Sequence, residues 1–309
     1  MRAAALLIAL AAAPLSCGNA TEGGPVGFPT AVPKPTSSHV ITIVMENKEY
    51  GDIIGNRDAP YVNGLARRYG LATNGYGVRH PSLPDYLALT SGATHGIESD
   101  CTDCHVDARN VVDQLEATGI TWKAYMEDMP KPCFRGARAG GYAKQHNPFA
   151  YYDDVAGDPQ RCRRIVPFGQ LAAALRRGRL PTYVFISPNL CHDMHDCDVA
   201  TGDRFLARRV PILLRALGPH GYLVLTWDEG TSDRGCCGGS TGGHIAIVVA
   251  GPLVRRGARE GTPLDHYGVL GTIEDTLGLP RLGVAAQPGH GSLDALFSRR
   301  PRIRRAAKG

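Results

Sequence analysis

Three apolar runs in this chain each end in side chains able to bind a metal ion or move a proton, and that repetition constrains the fold. His39-Val-Ile-Thr-Ile-Val-Met45 runs into Glu46-Asn47. Tyr183-Val-Phe-Ile-Ser187 runs into Pro188-Asn189 and a loop holding His192, Asp193, His195 and Asp196. Tyr222-Leu-Val-Leu-Thr-Trp227 runs into Asp228-Glu229-Gly230. A short, continuously apolar run is the pattern of a strand buried on both faces. Helical spacing predicts helices over 59–69, 82–91, 111–115, 168–177, 205–217 and 267–277, with further strands over 121–125 and 244–250. Strands alternating with helices predict an α/β architecture around a mostly parallel sheet covered on both faces. In such sheets ligands bind beyond the carboxyl ends of the strands. Three chemically equipped strand ends therefore predict one site assembled from distant segments.

The 309 residues suffice for one large domain, and a net charge of +5 falls well short of a nucleic-acid-binding signature. Part of that excess lies in a basic tail, 299–309, read as a solvated end. Arg2, the apolar stretch 3–13 and small residues up to Ala20 follow the order of a secretory leader, predicting a signal peptide over 1–20 cleaved after Ala20. Cys17 supports the alternative of a lipid anchor, although Pro14 suits a lipidation site poorly. The Gly-, Pro-, Thr- and Ser-rich segment 21–37 reads as a linker to a catalytic domain over 38–298. No later run approaches the ~20 apolar residues that span a bilayer.

Export makes disulfides the default reading of the eight cysteines left beside Cys17. Cys101-Thr-Asp-Cys104 has no second pair at metal spacing. A bridge between Cys191 and Cys197 would pin the histidine-rich loop. The adjacent Cys236 and Cys237 are expected to bridge outward, given the strain of a vicinal ring; spacing leaves the connectivity open. The Gly-, Pro-, Tyr- and Cys-rich stretch 126–166 reads as a disulfide-tied excursion of the same domain.

The nucleophile candidate lies in Arg79-His80-Pro81-Ser82-Leu83-Pro84-Asp85-Tyr86. One reading is a plain helix start, with Ser82 as N-cap and Asp85 closing a capping box. The other is a serine placed among free N–H groups at the positive end of a helix, where a phosphate would be stabilised. Serine needs a base or metal to activate it. Glu46, Asn47, Asp228 and Glu229 offer the hard oxygen ligands that suit Mg²⁺, Ca²⁺ or Mn²⁺. His192, His195 and His244 are candidates for proton transfer or ligation, and His80 for contact with the substrate phosphate. His95, His105, His146, His220 and His290 read as packed or surface groups, and His266 reads either way.

As a set and in this order, Met45-Glu46-Asn47, His80-Pro81-Ser82 through Tyr86 with Thr90-Ser91-Gly92, Ser187-Pro188-Asn189 with His192 to Asp196, Trp227-Asp228-Glu229-Gly230 and Gly242-Gly243-His244 resemble the bacterial phosphoesterase family. That family holds phospholipases C and secreted acid phosphatases within the alkaline phosphatase superfamily. The resemblance spans about 38–298. It implies an alkaline-phosphatase-like three-layer core and a phosphoseryl intermediate on Ser82. It also implies metal binding by Glu46, Asn47, Asp228 and Glu229, with His195, His244 and, less closely, His192 contacting phosphate or protonating the leaving group. Asp228-Glu229 stands where two-zinc alkaline phosphatases carry an Asp-His pair, so one divalent ion (Mg, Ca, Mn or Zn) is expected rather than two.

The expectation is thus a secreted, metal-assisted acid phosphatase acting on phosphomonoesters, phosphoinositides among them. Its partners would be small phosphate esters or phospholipid head groups. A phospholipase C acting on diesters is the alternative, with 126–166 as an apolar rim. A non-catalytic binder of phosphorylated groups is a third reading, which the intact set of candidate residues opposes.

Overall fold

The computed structural model describes residues 27–303, so the expected leader, Cys17 and the last part of the basic tail lie outside the described residues. The strands in chain order are β1 (Val40–Met45), β2 (Gly70–Tyr76), β3 (Trp122–Met126), β4 (Arg138–Ala139), β5 (Tyr142–Ala143), β6 (Ile165–Pro167), β7 (Tyr183–Ser187), β8 (Tyr222–Trp227), β9 (His244–Ala250), β10 (Arg259–Glu260) and β11 (Leu264–Asp265). Nine of them form one sheet in the order β10-β2-β9-β8-β1-β7-β3-β6, with β11 also paired to β2; β4 and β5 form a separate hairpin. Within the large sheet only β9 runs antiparallel to its neighbours. This is the α/β architecture expected, with helices covering both faces.

The three apolar runs occupy the middle of the sheet as β7, β1 and β8. Every residue of all three is buried, as continuous apolar runs between two helical layers require. Register aligns their carboxyl ends. β1 pairs with β8 from Val40↔Tyr222 to Met45↔Trp227, and with β7 from Val40↔Tyr183 to Ile43↔Ile186. Glu46 and Asp228 therefore leave the sheet side by side.

Three features depart from the sequence reading. β2 was not anticipated, because Gly70-Leu-Ala-Thr-Asn-Gly-Tyr76 carries two glycines and an asparagine that lower strand propensity. Its pairing with β9 is interrupted between Ala72 and Gly75, and a Cβ at Gly75 would lie 2.7 Å from Ile247 Cδ1, so the absent side chain permits the close approach. The helix expected from residue 205 starts at Val199, where the Asp198 carboxylate accepts the Thr201 N–H and the apolar stripe has not yet begun. The stretch 126–166 supplies the edge strand β6 and a buried run through Gln145, His146, Asn147, Phe149, Tyr151 and Tyr152, tied by Cys133–Cys162.

Among the pairings that spacing left open, Cys101 bridges Cys104 and Cys191 bridges Cys197, the second pinning the histidine-rich loop. Cys236 and Cys237 do not bridge outward; they bridge each other. The tight turn that follows them, closed by Cys236 N–H to Ser240 O (2.9 Å) and Ser240 N–H to Cys236 O (3.0 Å), holds the two sulfurs together.

Glu274, in the helix His266–Leu277, is a buried carboxylate outside the strand-end cluster. Oε1 accepts the Leu282 N–H, Oε2 has no partner, and burial raises its pKa to about 8. The folded state therefore holds this proton over a range where the unfolded chain has lost it. Stability falls as pH rises from the ordinary glutamate value to about 8, by at most about 1.4 kcal/mol per unit. Glu274→Gln is expected to remove that loss, so the gap in Tm between variant and wild type should widen from pH 4.5 to 8.

Candidate active site

The site is built where β7, β1 and β8 end. Asp228 donates its backbone N–H to Met45 O at 2.9 Å, extending the β1–β8 ladder by one rung. Glu46 donates its N–H to Asp193 O at 2.9 Å, which folds the loop after β7 back over the end of β1. Cys191–Cys197 closes that loop, and Asn189 Oδ1 accepts the N–H groups of Cys191 (3.1 Å) and His192 (2.8 Å). Asn47 adopts φ 53°, a left-handed conformation that asparagine tolerates better than most residues. Its N–H donates to Asp228 Oδ1 at 3.0 Å.

Ser82 comes from the turn after β2. Beyond Tyr76 the chain stays beside 241–243, through Gly77 N–H to Gly243 O (3.0 Å), Gly242 N–H to Gly77 O (3.0 Å) and Thr241 N–H to Val78 O (2.9 Å). A Cβ at Gly77 would stand 2.5 Å from Gly242 O and 2.8 Å from Asp228 O, so only glycine permits this approach. Asp85 does not close a capping box. Its carboxylate turns back to accept the Val78 and Arg79 N–H groups, fixing the turn that delivers Ser82. Nor is Ser82 the N-cap: Pro81 holds that place and Ser82 opens the helix Ser82–Ser91. Asp100 Oδ1 takes the Leu83 N–H at 2.9 Å and Pro84 has none, so the helix start offers few of the free donors expected of it.

Ser82 Oγ lies 3.1 Å from Glu46 Oε2 and 3.3 Å from Glu229 Oε1, so the serine and two of the expected carboxylates meet. Glu46 also accepts the Tyr86 hydroxyl, and Glu229 Oε2 meets His80 Nδ1, whose other nitrogen is 3.1 Å from Ser232 O. The Glu49 carboxylate supports this side by accepting the N–H groups of Thr231 (2.9 Å) and His244 (3.0 Å) and the Ser232 hydroxyl (2.9 Å).

Two further residues join the cluster that the sequence reading had not assigned to it. His146 is buried with Nε2 3.4 Å from Glu46 Oε2 and Nδ1 3.4 Å from Asp193 Oδ2, and its ring stacks on Tyr86. It lies in a stretch without helical or strand periodicity, and the only local signal was a histidine beside Asn147-Pro148. Asp193 was read only as a flank of the histidine loop, yet it is fully buried.

The candidate histidines separate. His195 sits at the rim, its ring 5.9 Å from that of His146 and its Nδ1 2.7 Å from Asp196 Oδ1. His192 turns to Glu127 Oε2 (2.9 Å) and stacks on Phe205. His244 stacks on Tyr50 and sets Nε2 3.0 Å from Thr73 O. The structure does not bring the His192, His195 or His244 ring into hydrogen-bond contact with Ser82 or with Glu46 and Glu229. His266, ambiguous in the sequence, is buried with Nε2 2.6 Å from Asp228 O and 3.5 Å from Asp85 Oδ1, a positioning role behind the site.

Electrostatics show what the cluster lacks. Glu46, Asp193, Asp228 and Glu229 are all buried, and their only ion-pair partners among the described residues are histidines. Burial, then Asp228 and Asp193, pushes the Glu46 carboxyl well above its usual range. Burial, then Asp228 and Asp100, raises Glu229 to about 9. Burial also raises Asp193. His146 is pushed the other way, to about 4, so its imidazole is neutral and has a lone pair to offer. Asp228 Oδ2, Asp193 Oδ2 and His146 Nε2 are buried without hydrogen-bond partners. Glu46, His146 and Asp193 each offer a donor atom within 4.8 Å of one another, and buried acidic oxygens beside a neutral imidazole suit a divalent cation, so the residues fit such an ion.

A family model described as the Phosphoesterase family matches residues 56–280. The chain belongs to this family. It is a phosphoric ester hydrolase, and the match spans the motifs from His80-Pro81-Ser82 to Gly242-Gly243-His244, while Met45-Glu46-Asn47 lies before it. It is 34% identical over 253 residues to a phosphatidylinositol-3-phosphatase of Mycobacterium tuberculosis, covering 81% of this chain and 80% of that protein. It is 30% identical over 252 residues to an acid phosphatase of Aspergillus fumigatus, covering 77% of this chain but 54% of the fungal protein. The chain thus spans only about half the length of that fungal relative. Among solved structures, a phosphonate monoester hydrolase from Silicibacter pomeroyi superposes with TM-score 0.55 at 13% identity, covering 87% of this chain and 78% of the other. A protein in the alkaline phosphatase superfamily from Vibrio parahaemolyticus gives TM-score 0.54 at 12% identity, covering 84% and 74%. These likenesses show an alkaline-phosphatase-superfamily fold.

Gly77→Ala tests the assembly of this candidate site. The added methyl displaces Asp228 or the segment 241–243, so hydrolysis should fall at least about tenfold in protein that still folds. Phosphate-release kinetics beside a circular-dichroism melt would check it.

Proposed function

We propose that this phosphoesterase hydrolyses phosphomonoesters through a phosphoseryl intermediate on Ser82, outside the cytoplasm. The observation that carries the reading is the contact of Ser82 Oγ with two buried carboxylates, 3.1 Å from Glu46 and 3.3 Å from Glu229. A serine hydroxyl held by two acceptors is aimed and has somewhere to send its proton. Glu46, Asp193 and Asp228, with His146 and the neighbouring Asn47, would hold a divalent cation. When bound, that ion supplies charge neutralisation for the phosphoryl oxygens and lowers the pKa of the serine hydroxyl.

The rest belongs to the chain's own groups. Ser82 Oγ attacks phosphorus in line as its proton passes to the ionised form of Glu229, the acceptor beside it that the cation would leave free. The ester P–O bond breaks, and His195, at the rim, protonates the departing alkoxide. Water then attacks the phosphoserine from the vacated side with His195 accepting its proton, and Ser82 recovers its own. The His80 imidazole, fixed on Glu229, borders the path of the phosphate. Rate enhancement comes chiefly from position and from charge arranged before the substrate arrives.

The names of the relatives support a monoesterase, with phosphoinositides among the candidate substrates. Four disulfides, which persist in oxidising compartments, and the leader-like N-terminus support action beyond the cytoplasmic membrane. No described helix is long and apolar enough to cross a membrane.

Ser82→Ala is expected to lower phosphate release from p-nitrophenyl phosphate by about 10³-fold or more without lowering Tm. Prolonged dialysis against chelator should abolish release, and a divalent cation should restore it. Release from bis-p-nitrophenyl phosphate exceeding that from the monoester would overturn the monoesterase reading. Full activity in Ser82→Ala would overturn the intermediate.

His146→Ala should weaken the coupling between metal and fold. In the wild type, added Mn²⁺ is expected to raise Tm by several degrees, and in the variant by less. Differential scanning fluorimetry with and without the ion checks it.

A further inference from the structure

Positive charge gathers at the end of the sheet opposite Ser82. The helices Pro60–Arg68, Gly169–Arg176 and Val199–Ala216 each lead into a parallel strand (β2, β7 and β8), so all three finish at the amino-end rim. Arg67 and Arg68 close the first, Arg176 and Arg177 the second and Arg215 the third, and all are exposed. β9 is antiparallel and therefore ends at the same rim, where the turn after it exposes Arg255 and Arg256. A Cβ at Gly257 would lie 3.6 Å from Arg67 O, so this turn adjoins the end of the first helix. Ser298 donates its N–H to Leu253 O at 2.8 Å, which brings the start of the basic tail to that rim as well.

Helix geometry accounts for part of this gathering. Basic residues in a helix's last turn complement its dipole. Arg255 and Arg256 lie in a turn, and the tail lies outside any helix, so the dipole explains neither. Carboxylates do not explain it either. Among the described residues none of the arginines just named forms an ion pair, whereas Arg161, Arg281 and Arg300 do. The opposite rim holds Glu46, Asp193, Asp228 and Glu229, so charge is polarised along the strand axis.

This face is not purely ionic. Between the helices Pro60–Arg68 and Val199–Ala216 runs a groove of about 530 Å³ lined by Tyr61, Leu65, Tyr69, Pro211 and Leu214, with Arg68 and Arg215 on its border. The Arg68 guanidinium stands 5.4 Å from the centre of the Tyr69 ring. Apolar and aromatic groups flanked by arginines suit the boundary between phospholipid head groups and acyl chains, where the apolar part is buried and the charge meets phosphate. A nucleic acid would use the arginines but leave Pro211 and Leu214 without a partner.

We infer that the amino-end rim docks on an anionic phospholipid bilayer. Each basic residue held near such a surface adds an attraction that salt screens. β1 is six residues long, so the Ser82 site stands roughly 20 Å from the docked face and opens to the water side. Docking surface and candidate active site are therefore separate, and the inference goes beyond the proposed function without depending on it.

The test is co-sedimentation of the unlipidated full chain with vesicles of equimolar phosphatidylcholine and phosphatidylglycerol, against phosphatidylcholine alone. Binding is expected to the mixed vesicles only, and to fall at least about tenfold between about 0.05 and 0.5 M salt. Arg67→Glu/Arg68→Glu/Arg215→Glu should weaken it about 100-fold, near fivefold for each arginine lost, without change in Tm or in hydrolysis of p-nitrophenyl phosphate. Arg255→Glu/Arg256→Glu, in an exposed turn, should weaken it about 25-fold and serves where the triple variant does not fold. Equal binding to neutral vesicles, salt-insensitive binding, or folded variants that bind like the wild type overturn the docking surface. So does tighter binding to duplex DNA than to the mixed vesicles at the same salt. Loss of hydrolysis on vesicle binding overturns the outward orientation of the site. Hydrolysis absent from the free protein too overturns the monoesterase reading and leaves the docking surface intact.

Discussion

Four carboxylates buried at one edge of the sheet, with only histidines paired to them, are the constraint around which the rest of the molecule is arranged. Burial, and after it the neighbouring carboxylates, push the Glu46, Asp193 and Glu229 carboxyls upward, so negative charge is held here only at a cost. A structure built only for stability would replace them with apolar groups. Under the proposed function a cation and an incoming phosphate would offset that cost, and Ser82 is held between two of these carboxylates.

Much of the surrounding architecture keeps the cluster together. The β1–β8 register sets Glu46 beside Asp228, and the Glu46–Asp193 backbone bond folds the loop after β7 over them. Asp85 fixes the backbone that leads to Ser82, and His266 holds the Asp228 carbonyl. Glu49 ties together the turn after Glu229 and the start of β9. Each is a buried or half-buried polar group that serves position rather than chemistry. Removing one partner would leave the others unsatisfied, a loss of about 1–3 kcal/mol for each orphaned group.

The vicinal disulfide, which looked improbable from its strain, forms where the turn after it closes through Cys236 and Ser240.

The sequence by itself was enough for the α/β architecture, for β1, β7 and β8, and for the meeting of Ser82 with Glu46 and Glu229. Continuous apolar runs report burial on both faces, and acidic and histidine side chains at the ends of parallel strands share one rim whatever the connections between them. It also carried the family, since several short motifs in a fixed order are jointly specific. Only the tertiary structure decided the remainder. His146 comes from a stretch with no periodicity, and only its docking against Tyr86 brings it to Glu46. Asp193 needed the loop to fold back, and β2 needed an antiparallel partner to offset its glycines. The directions of His192, His195 and His244 depend on side-chain contacts with Glu127, Asp196 and Tyr50, which no spacing encodes. Strand propensity and motif order are local properties of the chain, whereas a side chain's direction and the charge it faces are set by groups distant in sequence and close in space.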